Sequence, residues 1–385
     1  MLNLCRVLDF PERLDDVPGN NGELAVFECM DAIRSSVRSG QKLILFQGAT
    51  GCGKSKVLPE KYAQMLAELP DFRGRLLVLT TAAKDVESMH DHCKHTKTHW
   101  RTGNSKQGGN EWKDAQIIFA TVGLFFRWYA SKGIHALDDF GAVILDEIGS
   151  VERQVDYSFV FQVMQQKQQR GGKFKILMCT ATMSERLSIS LAELNPHMIQ
   201  CSKRPYVLER YVKAFDTLDI MYKKVAESGQ ELVNTGRTGL IFLPGEGEIT
   251  KVTDMLVDLG VPTEKIFPLF SDLDPKRIKA ALTASPTARL VLATSIAELA
   301  LTIPDVDVVL DTGVGRWTSI DEVPTSIDYL ISPTTIEQRE GRAGRTKSGC
   351  YVRFLCEDLV CRGSSIGPGR RPVGALGIRL SMTAI

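Results

Sequence analysis

Eight residues, GATGCGKS at 48–55, carry the densest chemistry in the chain. They follow an apolar run at 43–46 and precede a stretch that reads as helix. A strand, a glycine-rich turn and a helix start, in that order, suit the phosphates of a nucleotide. Gly48, Gly51 and Gly53 let backbone amides close in on the oxygens, because no side chain blocks them. The helix start adds the positive end of its dipole. Lys54 can reach the β- and γ-phosphates, and the Ser55 hydroxyl can ligate Mg²⁺. Thr50 and Cys52 complete the loop, where Cys52 fills space rather than reacts. A nucleoside triphosphate is the expected ligand.

Such a loop needs a carboxylate at the end of a neighbouring strand. GAVILDEIG at 141–149 supplies an apolar strand ending in Asp146 and Glu147. Asp146 would hold Mg²⁺, directly or through water. Glu147 would orient and deprotonate the attacking water. Further on, QREGRAGR runs from 338 to 345. On a helix, Gln338, Arg342 and Arg345 fall on one face at i, i+4 and i+7. A glutamine and two arginines aimed one way suit a γ-phosphate, its water and the charge released as the bond breaks. Gly341 and Gly344 allow another surface to approach closely.

The chain that must position these groups has 385 residues, enough for two or three domains. Its 47 basic and 46 acidic residues leave a net charge of +1, so no global basic field points to nucleic acid. Local amide and hydroxyl contacts can still hold phosphates. Nothing resembles a signal peptide, and no apolar run is long enough to span a bilayer. Nine cysteines without CxxC pairs argue for a reducing compartment, the cytoplasm. His90, His92, Cys93, His95 and His99 cluster; on a helix, His92, His95 and His99 would share a face, and zinc is conceivable. The interleaved Lys94, Lys97 and Arg101 favour a solvated or phosphate-facing segment.

Apolar, β-rich runs alternate with helical patterns twice over. They fall at 43–46, 76–80, 117–121, 142–146 and 176–180, then at 240–243, 290–294, 306–311 and 351–355. This predicts an α/β protein with two parallel sheets, each covered by helices on both faces. The expected join is at 202–205, after a helix at 185–194; a second helix, 248–259, is stopped by Gly260. The polar stretch 103–110 reads as a loop and 363–385 as a tail or linker.

In order and spacing, these strings resemble the motifs of superfamily 2 helicases, specifically the DEAH-box group and its viral, flavivirus-like relatives. GATGCGKS looks like motif I, LTTAAKDV at 79–86 like Ia, TVGLFFR at 121–127 like Ib and DEIG at 146–149 like II. CTAT at 179–182 looks like III, LIFLPGEGEI at 240–249 like IV, ATSIAELALTI at 293–303 like V and QREGRAGR like VI. The resemblance implies two tandem RecA-like domains, expected at 23–202 and 203–362, with 1–22 as an extension. It implies ATP and Mg²⁺ bound between them: Gly48, Thr50, Gly51, Cys52, Gly53, Lys54, Ser55 and Asp146 bind the nucleotide, while Lys54, Glu147, Gln338, Arg342 and Arg345 are catalytic. Single-stranded nucleic acid is implied along motifs Ia, Ib, IV and V, with Thr81, Thr121, Gly245 and Thr294 as positional candidates for backbone contact. Thr180 and Thr182 of motif III are expected to couple the two sites.

The chain departs from the family in places. Gly149 stands where motif II normally has a histidine that links hydrolysis to strand movement, so coupling is put in question while metal and water chemistry is not. The segment 276–285 lacks the aromatic that commonly stacks on the base, and 313–328 is short for the family's β-hairpin. The expectation is an ATP-dependent RNA helicase or translocase of viral type, acting on single-stranded or tailed duplex RNA, with DNA as a possible substrate. A viral origin would bring other replication proteins of a polyprotein as partners. Two alternatives stand beside it: an RNA-stimulated NTPase that clamps without processive unwinding, and a non-enzymatic nucleotide- and RNA-binding scaffold.

Overall fold

The computed structural model describes residues 24–103, 114–152, 154–171, 173–201, 206–298, 303, 305–318, 326–345 and 347–361. The expected extension 1–22, the join at 202–205, the tail 363–385, most of the loop 103–110 and residues 299–302 of the motif V string lie outside these. The described chain changes from one compact unit to a second between Val207 and Leu208.

The first unit runs α1 (Met30–Arg38), β1 (Leu43–Gly48), α2 (Leu58–Ala67), β2 (Arg75–Thr80), α3 (Ala83–His92), β3 (Thr98–Arg101), β4 (Ile117–Thr121), α4 (Val122–Lys132), β5 (Phe140–Leu145), α5 (Val155–Gly171), β6 (Lys175–Thr180), α6 (Glu185–Ala192) and β7 (His197–Cys201). Its seven strands are parallel, in the order β3-β4-β2-β5-β6-β1-β7. Successive strand residues point to opposite faces, so a buried strand feeds two cores. Ile44 and Phe46 join the core made with Ile33, Tyr62 and Val86 of α1, α2 and α3. Leu45 joins the other, made with Phe125, Val160 and Leu187 of α4, α5 and α6.

The second unit repeats the plan with β8 (Leu208–Phe215), α7 (Leu218–Asn234), β9 (Gly239–Phe242), α8 (Glu246–Asp258), β10 (Ile266–Leu269), α9 (Pro275–Leu282), β11 (Leu290–Ala293), β12 (Val308–Asp311), a hairpin of β13 (Val314–Thr318) and β14 (Ser326–Leu330), α10 (Pro333–Glu340), β15 (Gly349–Cys356) and α11 (Glu357–Cys361). Six strands are parallel, in the order β10-β11-β9-β12-β15-β8. Helices α7 and α8 pack Val225 and Val252 on one face, and α9 and α10 pack Ala281 and Ile336 on the other. Among the described residues, no helix is long and apolar enough to cross a membrane.

One buried cation ties α10 to this sheet. Arg339 is 1% exposed. It donates from Nη1 to Asp311 at the end of β12 at 2.7 Å and from Nε to Glu298 at 2.8 Å, with its guanidinium 4.8 Å from the Phe242 ring centroid. Asp311 also accepts the Tyr351 hydroxyl at 2.7 Å and the Gly313 amide at 2.9 Å. The geometry satisfies both charges, which is the condition for keeping ions out of water. Replacing Arg339 with methionine leaves the Asp311 carboxylate buried and uncompensated. The expected cost is about 3–5 kcal/mol, read as a fall in the urea midpoint of the second unit.

Candidate functional site

The phosphate-loop residues follow β1. Gly51 and Gly53 have φ of 86° and 104°, a left-handed backbone that L side chains resist. A Cβ on Gly53 would fall 2.8 Å from Val26, and one on Gly48 would fall 2.7 Å from the Cys52 sulfur. Cys52 is fully buried on Gly48, and a hydrogen bond from Cys201 holds its thiol below the usual range. Thr50 is half-buried in the turn. The helix expected straight after Ser55 is assigned only from Leu58. Its first turn exists as the 2.9 Å bond from the Val57 amide to the Gly53 carbonyl. Pro59, lacking an amide proton, cannot bond the Ser55 carbonyl and so delays the regular pattern.

Lys54 is buried and donates to the Gly48 carbonyl at 3.4 Å. The Ser55 hydroxyl donates to Oδ2 of Asp146 at 2.9 Å, across from the end of β1 to the end of β5. Asp146 is itself clamped: its amide donates to the Leu79 carbonyl of β2 at 2.9 Å, and its carbonyl accepts the Tyr157 hydroxyl of α5 at 2.6 Å. Burial pushes its carboxyl up to about 6, against the pull of Lys54. A buried carboxylate beside a hydroxyl, next to a glycine cradle and a lysine, fits a cation and phosphates. Glu147 has φ of 58°, a left-handed backbone uncommon for a non-glycine residue and strained. Tyr157 had no sequence signal; a tyrosine in an amphipathic helix reads only as core.

Thr180 ends β6 and Thr182 follows it, both buried. The Thr180 hydroxyl donates to the Thr182 carbonyl at 2.5 Å, while Thr182 Oγ1 is buried without a hydrogen-bond partner among the described residues. A Cβ on Gly149 would meet the Thr182 carbonyl at 3.5 Å and Thr180 Oγ1 at 3.7 Å, ordinary contact distances. Neither space nor backbone therefore demands glycine at the position that departs from the family.

The nucleic-acid candidates sort by strand. Thr81 follows β2; Thr121 ends β4 and caps α4, accepting the Leu124 amide at 3.3 Å. They occupy the β4-β2 side of the first sheet, while Lys54, Asp146 and Thr180 follow or end β1, β5 and β6 on the other. All stand at carboxyl ends of parallel strands, where open α/β sheets bind ligands. In the second unit, Gly245 is the N-cap of α8 beyond β9, and Thr294 follows β11, its amide donating to the Leu269 carbonyl at 3.1 Å.

Two helical readings need correcting. Helix α10 ends at Glu340, so Gln338 lies on it but Arg342 and Arg345 lie in the turns beyond, and the three do not form one helical face. Gly341 and Gly344, the latter with φ of 67°, break the helix. Gln338 is buried; Arg342 and Arg345 are half-buried, and Arg342 donates to the Glu298 carbonyl of its own unit. Arg339, which the spacing passed over, is the residue that fixes this segment. Likewise α3 ends at His92 and His99 lies on β3, so the histidines do not share a helical face. Among the described residues, no group of three histidine, cysteine or acidic residues is placed to hold a metal ion.

Residues 29–189 match the family model for the DEAD/DEAH box helicase, and residues 223–347 match that for the helicase conserved C-terminal domain. In order along the chain, its two halves are thus similar to the two domains of DEAD/DEAH-box helicases. It is 26% identical over 377 residues to the ATP-dependent RNA helicase HrpA of Escherichia coli, covering 94% of this chain and 28% of that protein. To the ATP-dependent RNA helicase TDRD9 of Mus musculus it is 24% identical over 412 residues, covering 93% and 29%. The crystal structure of the E. coli DExH-box NTPase HrpB superposes with a TM-score of 0.66 at 24% identity, over 90% of this chain and 43% of that one. The two RecA-like domains expected from the sequence are therefore its fold. The chain spans under a third of the length of HrpA and TDRD9.

Because Asp146 has a raised pKa in the fold, the folded state holds its proton longer than the unfolded chain. Stability of the ligand-free helicase chain falls as pH rises from about 4 to about 6 and stays lower above that. Asp146→Asn is expected to remove this dependence and to stabilise the ligand-free protein at pH 7 by up to about 3 kcal/mol, measured by thermal melts across pH. Gly149→Ala is expected to fit, with stability unchanged or raised by about 0.5 kcal/mol in the same melts.

Proposed function

We propose that the chain is an ATP-dependent RNA helicase core that uses ATP turnover to move along single-stranded RNA and separate duplexes. The observation that carries this is the half-buried Ser55–Asp146 contact beyond the carboxyl ends of two parallel strands, with Lys54 beside it and Glu147 next in sequence. Relatives named as ATP-dependent RNA helicases match both halves of the chain. Ser55 and Asp146 are the residues that would hold Mg²⁺, which when bound neutralises charge on the β- and γ-phosphates. Lys54 binds the same phosphates. Glu147 orients water and accepts its proton, and its strained backbone is the kind of outlier that clusters at reaction centres. Gln338, Arg342 and Arg345 serve the γ-phosphate and its water, as the family resemblance implies.

Thr81, Thr121, Gly245 and Thr294 would meet the strand through hydroxyls and amides, a grip that needs no net positive charge and reads little sequence. Thr180 and Thr182, packed on Gly149, would relate the two activities. A reducing compartment, the cytoplasm, is carried into this proposal from the cysteine pattern of the sequence. A viral origin draws no support from the bacterial and mammalian relatives. A second reading, an RNA-stimulated NTPase that clamps RNA without processive unwinding, is favoured by Gly149 and by the short hairpin segment at 313–328.

Phosphate release with saturating RNA and Mg²⁺ is expected for the wild-type chain and should vanish in Lys54→Ala and Glu147→Gln. Losing Arg342 should slow it by roughly 10³ to 10⁵; near-normal turnover would remove that arginine from the mechanism. Displacement of a tailed RNA duplex, run beside the ATPase assay, separates the helicase from the clamp.

A further inference from the structure

Arg316, on β13, belongs to none of the motifs that carry phosphate chemistry, yet it is engaged on both sides. Its Nε and Nη2 donate to Oδ1 and Oδ2 of Asp328 at 2.7 and 3.0 Å. Asp328 is its direct cross-strand partner on β14. Its Nη1 and Nη2 donate to Oε2 and Oε1 of Glu248, in the first turn of α8, at 2.8 and 2.9 Å. Paired forks of this kind fix orientation as well as distance. All three side chains are only a fifth to a quarter exposed.

The hairpin has particular need of such a contact. Among the described residues, β13 and β14 pair with each other and with no strand of the six-stranded sheet. Val314 and Leu330 root its base in the core, but Ile327, further out, is 45% exposed. Tyr329 lies across Gly315, where a Cβ would fall 2.7 Å from the ring, so the register within the hairpin is set by close contact. Its angle to α8 is set by Arg316.

The contact also abuts the expected nucleic-acid path. A Cβ on Gly245, the N-cap of α8, would lie 2.7 Å from Arg316 Nη1 and 3.0 Å from Glu248 Oε2. Two carboxylates beside that backbone would repel a phosphate; the guanidinium neutralises most of their charge while it holds the hairpin.

We infer that Arg316 is a positioning residue for strand separation: its double fork clamps the β13–β14 hairpin to the first turn of α8, beside Gly245. The inference rests on the helicase reading above. It places the hairpin's orientation, and so duplex separation per ATP, under control of the Glu248–Arg316–Asp328 clamp, while nucleotide turnover stays outside that control.

The test uses the full chain with Glu248→Gln, which weakens the α8 fork and removes a negative charge near the strand, so that repulsion cannot explain a loss. Arg316→Gln, which breaks both forks, is the second variant. ATP turnover at saturating RNA, RNA affinity, displacement of a tailed duplex and hydrogen exchange across 314–318 and 326–330 are measured together. The expected result is a fall of about tenfold in displacement per ATP, faster exchange in the hairpin, turnover near wild type and RNA affinity unchanged or raised for Glu248→Gln. Wild-type displacement per ATP in both variants overturns the inference. So does a joint fall of displacement, turnover and melting temperature in both, which marks the clamp as scaffold alone. A wild-type chain that displaces nothing refutes the helicase reading, and this inference with it, before any variant is made.

Discussion

A guanidinium shut away from water holds the second unit's ligand-side loops in place. Arg339 joins the end of β12, through Asp311, to Glu298 beyond β11, and it lies on α10, the helix that presents Gln338. Desolvating these charges is costly, and only mutual satisfaction makes the arrangement tolerable. The consequence is geometric. The turns that carry Arg342 and Arg345 start from a fixed point, and the glycines that follow α10 give them freedom only beyond it. The first unit reaches the same end with weaker links: a hydroxyl from Ser55 and another from Tyr157 converge on Asp146.

The inner strands of both sheets were legible as apolar runs, and the reason is burial on two faces. β4, β2, β5, β6 and β1 in the first sheet, and β11, β9, β12 and β15 in the second, all fell on predicted runs. The strands that escaped notice are β3 and β7, β10 and β8, the outermost of each sheet. An edge strand buries less and can be polar: β8 reads LERYVKAF, with Tyr211 and Val212 exposed. The hairpin β13–β14 was expected, as a short one, only from the family resemblance at 313–328, since no apolar run marks it.

At the site, residue types were legible and conformations were not. Lys54, Ser55 and Asp146 stand where their spacing put them because a strand, a turn and a helix leave few alternatives. The segment from 338 to 345 was read as continuous helix, since the i, i+4, i+7 spacing is persuasive, but two glycines outweigh it. Arg339 escaped because an arginine between a glutamine and a glutamate looks like a solvated face. Its burial depends on Asp311 and Glu298, residues distant in sequence. The left-handed backbone of Glu147 and the Tyr157 hydroxyl are likewise tertiary facts with no local pattern.

The position of β2 has a mechanical meaning. It lies between β4 and β5, and its Leu79 carbonyl receives the Asp146 amide two residues before Thr81. The backbone that follows β5 and the corner that follows β2 are thus one rung of a ladder apart. The residues that the family resemblance assigns to nucleotide and to nucleic acid in this domain are separated there by no more than the width of a single β-strand.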